Sequence, residues 1–415
     1  MLTFSSDTIG LAEGTTIVVR VKAENEIGNA TNYSPVNSAG ATVKTEPLPP
    51  LTPPSEGSGT SESQIEVNIT KLPDSRTGGS SVTSYDIYWD NGSSEQFWIP
   101  LANIIVNGSD YYQFTQATGI DESTIYHFKY RANNLYGSGN FSESYAIKAS
   151  HIPAQMARPT IEEVDLNVKI TWVEPDDRGD NITKYRITFY DYNSLAYVEN
   201  TTLCDGEANV NTLTCTLTMS SFGTVFSYTK GQVLLVQVEA FNVNGYSIPS
   251  PVITTGLVFK TEPIAPTNLN GTSTANDTIL LEWDDMNTSP SNGYSDITEY
   301  EVWYDNAAGG SVDLSLNASA GTATNYSISG LSVNSTYRFA IVARNKYGPS
   351  PQSTELQILS AFVPSQMSPV VTSEVNTGIT FTWEIPSDIG GTEVTAYRVN
   401  LLNKNTNEFT EYQSL

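Results

Sequence analysis

Two cysteines, Cys204 and Cys215, are the only thiols in the chain, and the segment between them contains Gly and Asn. A disulfide between them would close a short loop and, on the chain-entropy account, would stabilise the fold by roughly 2–3 kcal/mol. Two buried free thiols are the alternative. A metal site is not indicated, because no further cysteine or histidine lies close in sequence. The pair therefore predicts a disulfide.

The chain has few residues that are suited to catalysis. His127 and His151 are the only histidines; the first alternates with apolar residues and should face outward from a strand, and the second lies in a linker. A Ser–His–Asp triad would need one of them. The chain has no Gly-x-Ser-x-Gly, Walker-type or His-Glu-x-x-His motif. We predict that the protein is not an enzyme and has no cofactor.

Two carboxylate pairs, Asp176/Asp177 and Asp284/Asp285, could do acid–base work or bind calcium. They occupy expected turns, where capping and solubility explain them, and the spacing of an EF-hand loop is absent. Weak calcium binding remains open.

The tripeptide Arg178-Gly-Asp180 spells an integrin-type adhesion signal. Its glycine aligns with the turn glycines that follow Arg76 in the preceding unit. A glycan on Asn181 would also crowd it. The sequence therefore favours a turn over a ligand loop.

The chain carries 14 Asn-x-Ser/Thr sequons, most of them in expected loops. The alternative is a Ser/Thr/Asn-rich composition without glycans. The candidate glycosylation sites are Asn29, Asn32, Asn68, Asn91, Asn107, Asn140, Asn181, Asn200, Asn270, Asn276, Asn287, Asn317, Asn325 and Asn334.

Internal repeats position these residues. The pattern Ala-x-Asn-x-x-Gly begins at Ala23, Ala132, Ala240 and Ala343, at intervals of 109, 108 and 103 residues. A second landmark keeps the same step, an apolar run followed 13 to 17 residues later by a tyrosine. Its members are Ile69 and Tyr85, Trp172 and Tyr185, Trp283 and Tyr300, and Trp383 and Tyr397. One unit is therefore written repeatedly along the chain.

Short strands are predicted within each unit. Apolar residues at 337, 339 and 341 alternate with arginine and small residues, and no stretch sustains a helical period. Strands about every ten residues, in units of about 100 residues, predict a two-sheet sandwich. In the repeated pattern, Gly suits the positive φ of a turn and Asn can bond its own backbone.

The segments 172–185 and 383–397 resemble the strand B to strand C signature of fibronectin type III domains, and 331–348 resembles their strand F. Tyr337 and Tyr126 occupy the tyrosine-corner position of that family. The resemblance covers essentially the whole chain. It implies an all-β fold of tandem fibronectin type III-like (immunoglobulin-like) β-sandwiches in an extended rod.

Two departures from the family follow a pattern. Ile69 replaces one core tryptophan, and Leu234 and Ile17 stand where a corner tyrosine would be. The linkers also alternate, since Lys44-Thr-Glu-Pro recurs at Lys260 and Ile152-Pro-Ala-Gln-Met recurs in altered form at Val363. The repeat is therefore a pair of domains, type A with the corner tyrosine and type B without it.

The predicted boundaries are 1–46 (C-terminal part of a domain), 47–152 (type A), 153–262 (type B, with the cysteine pair), 263–364 (type A) and 365–415 (N-terminal part of a type B domain). Neither partial unit can close a sandwich alone, so we expect a longer protein. The alternative is that partial units of two copies complete each other. Proline-dense linkers favour extended, semi-rigid joints.

The charge and hydropathy of the chain limit the classes of partner that it can bind. Lys+Arg number 20 and Asp+Glu 45, so the net charge of −25 disfavours nucleic acid and anionic membrane surfaces. No apolar run approaches the roughly 18 residues of a membrane span. The first residues lack the basic and apolar regions of a signal peptide. We expect no nucleic-acid partner and no direct membrane insertion by this segment.

Few lysines, a disulfide and loop sequons favour the secretory route and an extracellular or cell-surface location. The segment 204–240 also resembles repeats of very large protist cell-surface proteins. We therefore expect a non-enzymatic, glycosylated structural rod in a filament that self-associates with a two-domain repeat or binds other filament proteins. The alternatives are an adhesion-receptor ectodomain spacer, an intracellular titin-like scaffold, and a module beside a carbohydrate-active catalytic domain.

Overall fold

The computed structural model of the chain describes residues 11–252, 255–275, 277–307 and 317–414. Within them, three successive sandwiches each pack a three-stranded sheet against a sheet of four or five strands. The predicted all-β class is confirmed. In every sandwich the first, second and fifth strands form the smaller sheet.

The first sandwich consists of β5 to β12. Its smaller sheet has the order β5-β6-β9 and its larger sheet the order β11-β10-β7-β8, with β12 also paired to β10. The strands are β5 (Ser55–Glu56), β6 (Ile65–Thr70), β7 (Ser84–Trp89), β8 (Ile99–Ile105), β9 (Tyr111–Gln116), β10 (Ile125–Asn134), β11 (Gly137–Ser138) and β12 (Tyr145–Lys148), with a short 3-10 turn at Asp74–Arg76.

The second sandwich pairs a β13-β14-β17 sheet with a β16-β15-β18-β19 sheet. Its elements are β13 (Thr160–Val164), β14 (Asn167–Thr171), β15 (Lys184–Asp191), β16 (Ala196–Glu199), β17 (Thr214–Thr218), α1 (Met219–Phe226), β18 (Val236–Asn242) and β19 (Gly245–Tyr246). The helix α1 was not expected from the sequence. Phe222 and Phe226 on α1 pack against Phe189 of β15, with ring centroids 5.9 and 4.7 Å away.

The third sandwich repeats the topology of the first, with sheets β20-β21-β24 and β23-β22-β25-β26 and with β27 paired to β25. Its strands are β20 (Asn270–Ala275), β21 (Thr278–Glu282), β22 (Glu299–Tyr304), β23 (Asn317–Gly321), β24 (Asn325–Ile328), β25 (Ser335–Asn345), β26 (Gly348–Pro349) and β27 (Leu356–Ser360).

Within the described residues, the two flanking segments form separate two-stranded sheets. Pairs β1–β4 and β2–β3 precede the first sandwich, and pairs β28–β29 and β30–β31 follow the third. Apolar side chains of both segments are exposed, as at Val21 (70%) and Phe409 (71%). The bounds are β1 (Thr16–Ile17), β2 (Glu24–Asn25), β3 (Gly28–Asn29), β4 (Ala41–Thr42), β28 (Val371–Val375), β29 (Gly378–Thr382), β30 (Arg398–Asn403) and β31 (Glu408–Ser414).

Strand alternation builds the three cores. In β6, Ile65, Val67 and Ile69 are fully buried while the residues between them are partly exposed. Where Ile69 replaces the core tryptophan, Tyr85 packs on Tyr112 and Tyr130, with ring centroids 5.3 and 6.0 Å away. The predicted corner tyrosines bond as expected: the Tyr126 hydroxyl accepts the Asp121 N–H (2.7 Å).

The second sandwich keeps the corner with a different tyrosine. Leu234 at the family position is fully buried. The hydroxyl of Tyr228, just after α1, accepts the Leu235 N–H at 3.0 Å and donates to its carbonyl at 3.4 Å. Burial raises the Tyr228 pKa, so the hydroxyl stays protonated and can donate. The sequence did not point to this tyrosine because it lies six residues before Leu234, outside the family position.

Candidate functional site: the joints between sandwiches

One residue in each linker pairs with the unit that follows it. This anchor residue lies two positions before the first linker proline, and its N–H donates to a carbonyl in the loop between the second and third strands, here called the B–C loop. The pairs are Thr45 with Gly78 (3.0 Å), His151 with Arg178 (2.9 Å), Thr261 with Gly293 (3.0 Å) and Phe362 with Gly390 (2.9 Å).

The repeated asparagine holds the same anchor from its other side. Asn242 Nδ2 donates to the carbonyls of His151 (2.7 Å) and Asp177 (3.0 Å), while its Oδ1 accepts the Asn244 N–H (2.9 Å). Its side chain is fully buried. The local bond to Asn244 was predicted from the sequence, but the bonds from Nδ2 were not.

The other complete sandwiches repeat this clamp. Asn134 Nδ2 donates to the carbonyls of Thr45 and Thr77, both at 2.8 Å. Asn345 Nδ2 donates to those of Thr261 (2.7 Å) and Asn292 (2.8 Å). A buried side-chain amide whose hydrogen bonds are all satisfied holds the anchor residue and the B–C loop in place. Breaking any of these bonds would leave a buried polar group without a partner. Each linker is therefore fastened to the sandwich after it.

Glycine in the B–C loop lets the linker approach. Gly293 has φ +69°, and a Cβ there would lie 2.2 Å from the Thr261 carbonyl oxygen. Gly78 and Gly390 show the same geometry against Thr45 and Phe362. Only glycine combines this backbone conformation with so close a contact.

Charged groups add contacts across the joint between the first and second sandwiches. Lys148 Nζ lies 3.0 Å from an Asp180 carboxylate oxygen, and Arg178 lies 4.0 Å from Glu62. Ser123 Oγ donates to the Gly179 carbonyl at 3.1 Å. The tripeptide Arg178-Gly-Asp180 therefore lies in a joint, with all three residues contacting the preceding sandwich.

The joint between the second and third sandwiches is centred on Glu163 of β13. Its carboxylate accepts bonds from Lys260 (2.7 Å), Lys346 (2.5 Å) and the Tyr347 hydroxyl. Burial alone would raise the pKa of Glu163, but these bonds outweigh it and lower the pKa to about 2. Tyr294 also packs on Gly231, where a Cβ would lie 2.4 Å from the tyrosine ring.

Acid should loosen this joint. Because the Glu163 pKa is lower in the folded chain than its ordinary value of 4.5, its contribution is complete above pH 4.5 and is lost as pH falls towards 2. We expect Glu163→Gln to cost about 2–3 kcal/mol at pH 7 and almost nothing near pH 2. Denaturant unfolding across this pH range measures the difference. Glu162→Gln, at an exposed ion pair, should show no such pH-dependent loss; an equal loss would contradict the role of Glu163.

One carboxylate cluster faces the first of these joints. Ligand oxygens of Glu122, Asp176 and Asp177 lie within 4.8 Å of one another. Asp176 and Asp177 also accept the N–H groups of Arg178 and Gly179, which is the predicted turn role. Asp284 accepts bonds from Thr267 and Asn268. Weak calcium binding stays a prediction.

His127 is part of an unexpected pair. It faces outward as predicted, but its Nδ1 lies 2.8 Å from Oδ2 of the fully buried Asp90. Among the described residues, no hydroxyl bonds its Nε2, which lies 4.0 Å from Glu95. In the third sandwich the matching Asp305 accepts the Arg338 N–H and lies 3.4 Å from its guanidinium. In both sandwiches, this aspartate therefore links the end of one strand to the neighbouring strand of the larger sheet.

The structure joins Cys204 and Cys215 in a disulfide, with Cα atoms 5.8 Å apart and both side chains buried. Asn276 lies outside the described residues, as does the side chain of Asn317. Asn68 and Asn200 are partly buried. The exposed sequon asparagines are Asn29, Asn32, Asn91, Asn107, Asn140, Asn181, Asn270, Asn287, Asn325 and Asn334.

Comparison with known proteins bears on the repeated unit. Residues 264–358, most of the third sandwich, match the family model described as Fibronectin type III domain. The fold is a tandem array of β-sandwiches, and the third of them matches this family model. In the part that the structure describes, no helix has the length and hydrophobicity to cross a bilayer.

Curated relatives resemble long stretches of this array. Human Contactin-3 is 29% identical over 40% of this chain, and human Neogenin is 23% identical over 88% of it. Titin of Drosophila melanogaster is 26% identical over 69%. The chain spans only 16%, 24% and 2% of their respective lengths. The solved chicken CNTN1 FN1-FN3 domains share 16% identity, covering 74% of this chain and 99% of that one, with a TM-score of 0.24.

Proposed function

We propose that this segment is a non-enzymatic spacer of an extracellular or cell-surface protein, in which fastened joints keep successive fibronectin type III-like sandwiches in a stiff rod. The observation that carries this proposal is the joint itself. Both backbone groups of an anchor residue are bonded to the following sandwich, and the same device recurs at Thr45, His151 and Thr261.

The linker prolines support the stiffness. Pro47, Pro50 and Pro54 are buried against the first sandwich instead of lying free. Arg76 donates two bonds to the Pro49 carbonyl, at 2.8 and 3.1 Å. A proline-rich segment has little conformational freedom, and these contacts restrict it further. A linker held in this way transmits force and orientation between sandwiches.

The extracellular location rests on covalent chemistry. A buried disulfide is typical of oxidising compartments. The exposed sequons suit N-glycans, which with the net charge of −25 would oppose unspecific clumping. Similarity to Contactin-3 and Neogenin agrees with a spacer in a longer protein. We further propose that the rod self-associates or joins other filament proteins with a two-domain repeat.

Intact-mass measurement of the protein from its native source tests the location. We expect the mass to fall on enzymatic deglycosylation, and Cys204 and Cys215 to react with a thiol reagent only after reduction. Bare asparagines together with two free thiols would instead support an intracellular scaffold, for which the similarity to Titin is the favouring observation.

A further inference from the structure

The strand β8 (Ile99–Ile105) forms a free edge of the larger sheet in the first sandwich, since its only partner there is β7. The residues from 97 to 109 carry no charge, in a chain whose net charge is −25. Proteins usually block such edges with lysines, prolines or short strands. Here the one proline, Pro100, lies near the start of the strand.

Backbone groups of β8 point outward from this edge. Val106 N–H donates to the Thr83 carbonyl at 3.0 Å, and 84 to 86 continue the antiparallel register opposite 105 to 103. Bonding alternates along such a pair, so 104 bonds inward while Asn103 and Ile105 present their N–H and C=O to the free side. Two donors and two acceptors are therefore available in a row.

Exposed apolar side chains accompany these backbone groups. Ile105 is 69% exposed and Phe97 is 65% exposed. The matching strands of the other sandwiches differ: β16 has four residues ending in Glu199, and β23 reads Asn-Ala-Ser-Ala-Gly. Of these three edge strands, β8 therefore combines the lack of charge with large exposed apolar side chains.

We propose that β8 pairs antiparallel with β8 of a second copy of this chain, which gives the self-association of the proposed function, on which this inference rests, a defined surface. A two-fold axis at Ile104 sets Asn103 opposite Ile105 of the other copy, and the reverse. Each of these two pairs exchanges two N–H···O bonds. All four outward groups of each chain are therefore bonded to the other chain. A second copy fits because two strongly acidic chains repel least where neither carries charge.

Adding charge to the edge tests the pairing. We expect the full chain to form a dimer in sedimentation equilibrium, and Ile105→Lys to weaken it by at least about tenfold, since a lysine on an edge strand opposes strand addition. Leu135→Lys is the matched control, because Leu135 is 84% exposed in a turn of the same sandwich. A chain that stays monomeric, or a dimer that Ile105→Lys leaves unchanged, overturns the proposal.

Cross-linking tests the register. Opposite residues in such a pair have Cα atoms about 5.5 Å apart, within the range of a disulfide. Mixing Asn103→Cys and Ile105→Cys chains under mild oxidation should give far more covalent dimer than either variant alone. Equal cross-linking in all three samples overturns this register. A rod that remains stiff but monomeric would sink the edge pairing and leave the spacer role intact, whereas association that Ile105→Lys spares would keep the filament and remove β8 from it.

Discussion

Asn242→Ala should lower the free energy of unfolding of the second sandwich by about 2–4 kcal/mol, because it leaves buried carbonyls and an N–H without partners. The side chain is fully buried and bonds His151, Asp177 and Asn244. Amide hydrogen exchange on the full chain, resolved by peptide, measures the loss. Exchange should rise first in the linker around His151 and in the B–C loop.

Asn193→Ala is the control for this variant. Asn193 lies exposed in the turn between β15 and β16 of the same sandwich. It should change the unfolding free energy by less than about 0.5 kcal/mol. If Asn242→Ala were equally mild, or if the linker kept its protection from exchange, the clamp would not be what fastens the joint.

Among glycine-to-alanine substitutions at the described positions of the third sandwich, Gly293→Ala should lower the free energy of unfolding most. The new Cβ would meet the Thr261 carbonyl oxygen at 2.2 Å in a backbone with φ +69°. We expect a cost of roughly 2–5 kcal/mol, from about 1–2 for the left-handed backbone and the remainder for moving the linker. Denaturant unfolding of the full chain would show this as earlier loss of the third sandwich.

Gly330→Ala separates the two contributions. Gly330 has φ +79°, but nothing lies within 4 Å of a Cβ built there. It should therefore lose only the backbone part, about 1–2 kcal/mol. Equal losses at the two glycines would mean that backbone strain explains both and that contact with the linker contributes nothing.

Much of the fold could be predicted because its signals are local. The alternation in β25 and the step from Trp172 to Trp283 are visible in the sequence and agree with the buried cores. The helix α1 could not be predicted. Its sequence, Met-Ser-Ser-Phe-Gly-Thr-Val-Phe, has Gly and β-branched residues and only eight positions, so packing of Phe222 and Phe226 must stabilise it.

Only the local part of each joint could be predicted from the sequence. The asparagine pattern marked the right residue, and its bond to the residue two positions on follows from local geometry. Its Nδ2 partners lie far away in sequence, as His151 does from Asn242, and no periodicity encodes them. Glu163 likewise meets Lys346 and Tyr347 only after two sandwiches have folded.

Spin-label distance measurement across the joint between the second and third sandwiches tests the fastened joint most directly. Labels at Leu195→Cys and Gln352→Cys would sit on exposed positions of the two sandwiches, and the native cysteines are already bonded. We expect one narrow distance distribution in the otherwise unchanged chain and a broad one after Asn345→Ala. A distribution that is already broad without Asn345→Ala would contradict the stiff rod.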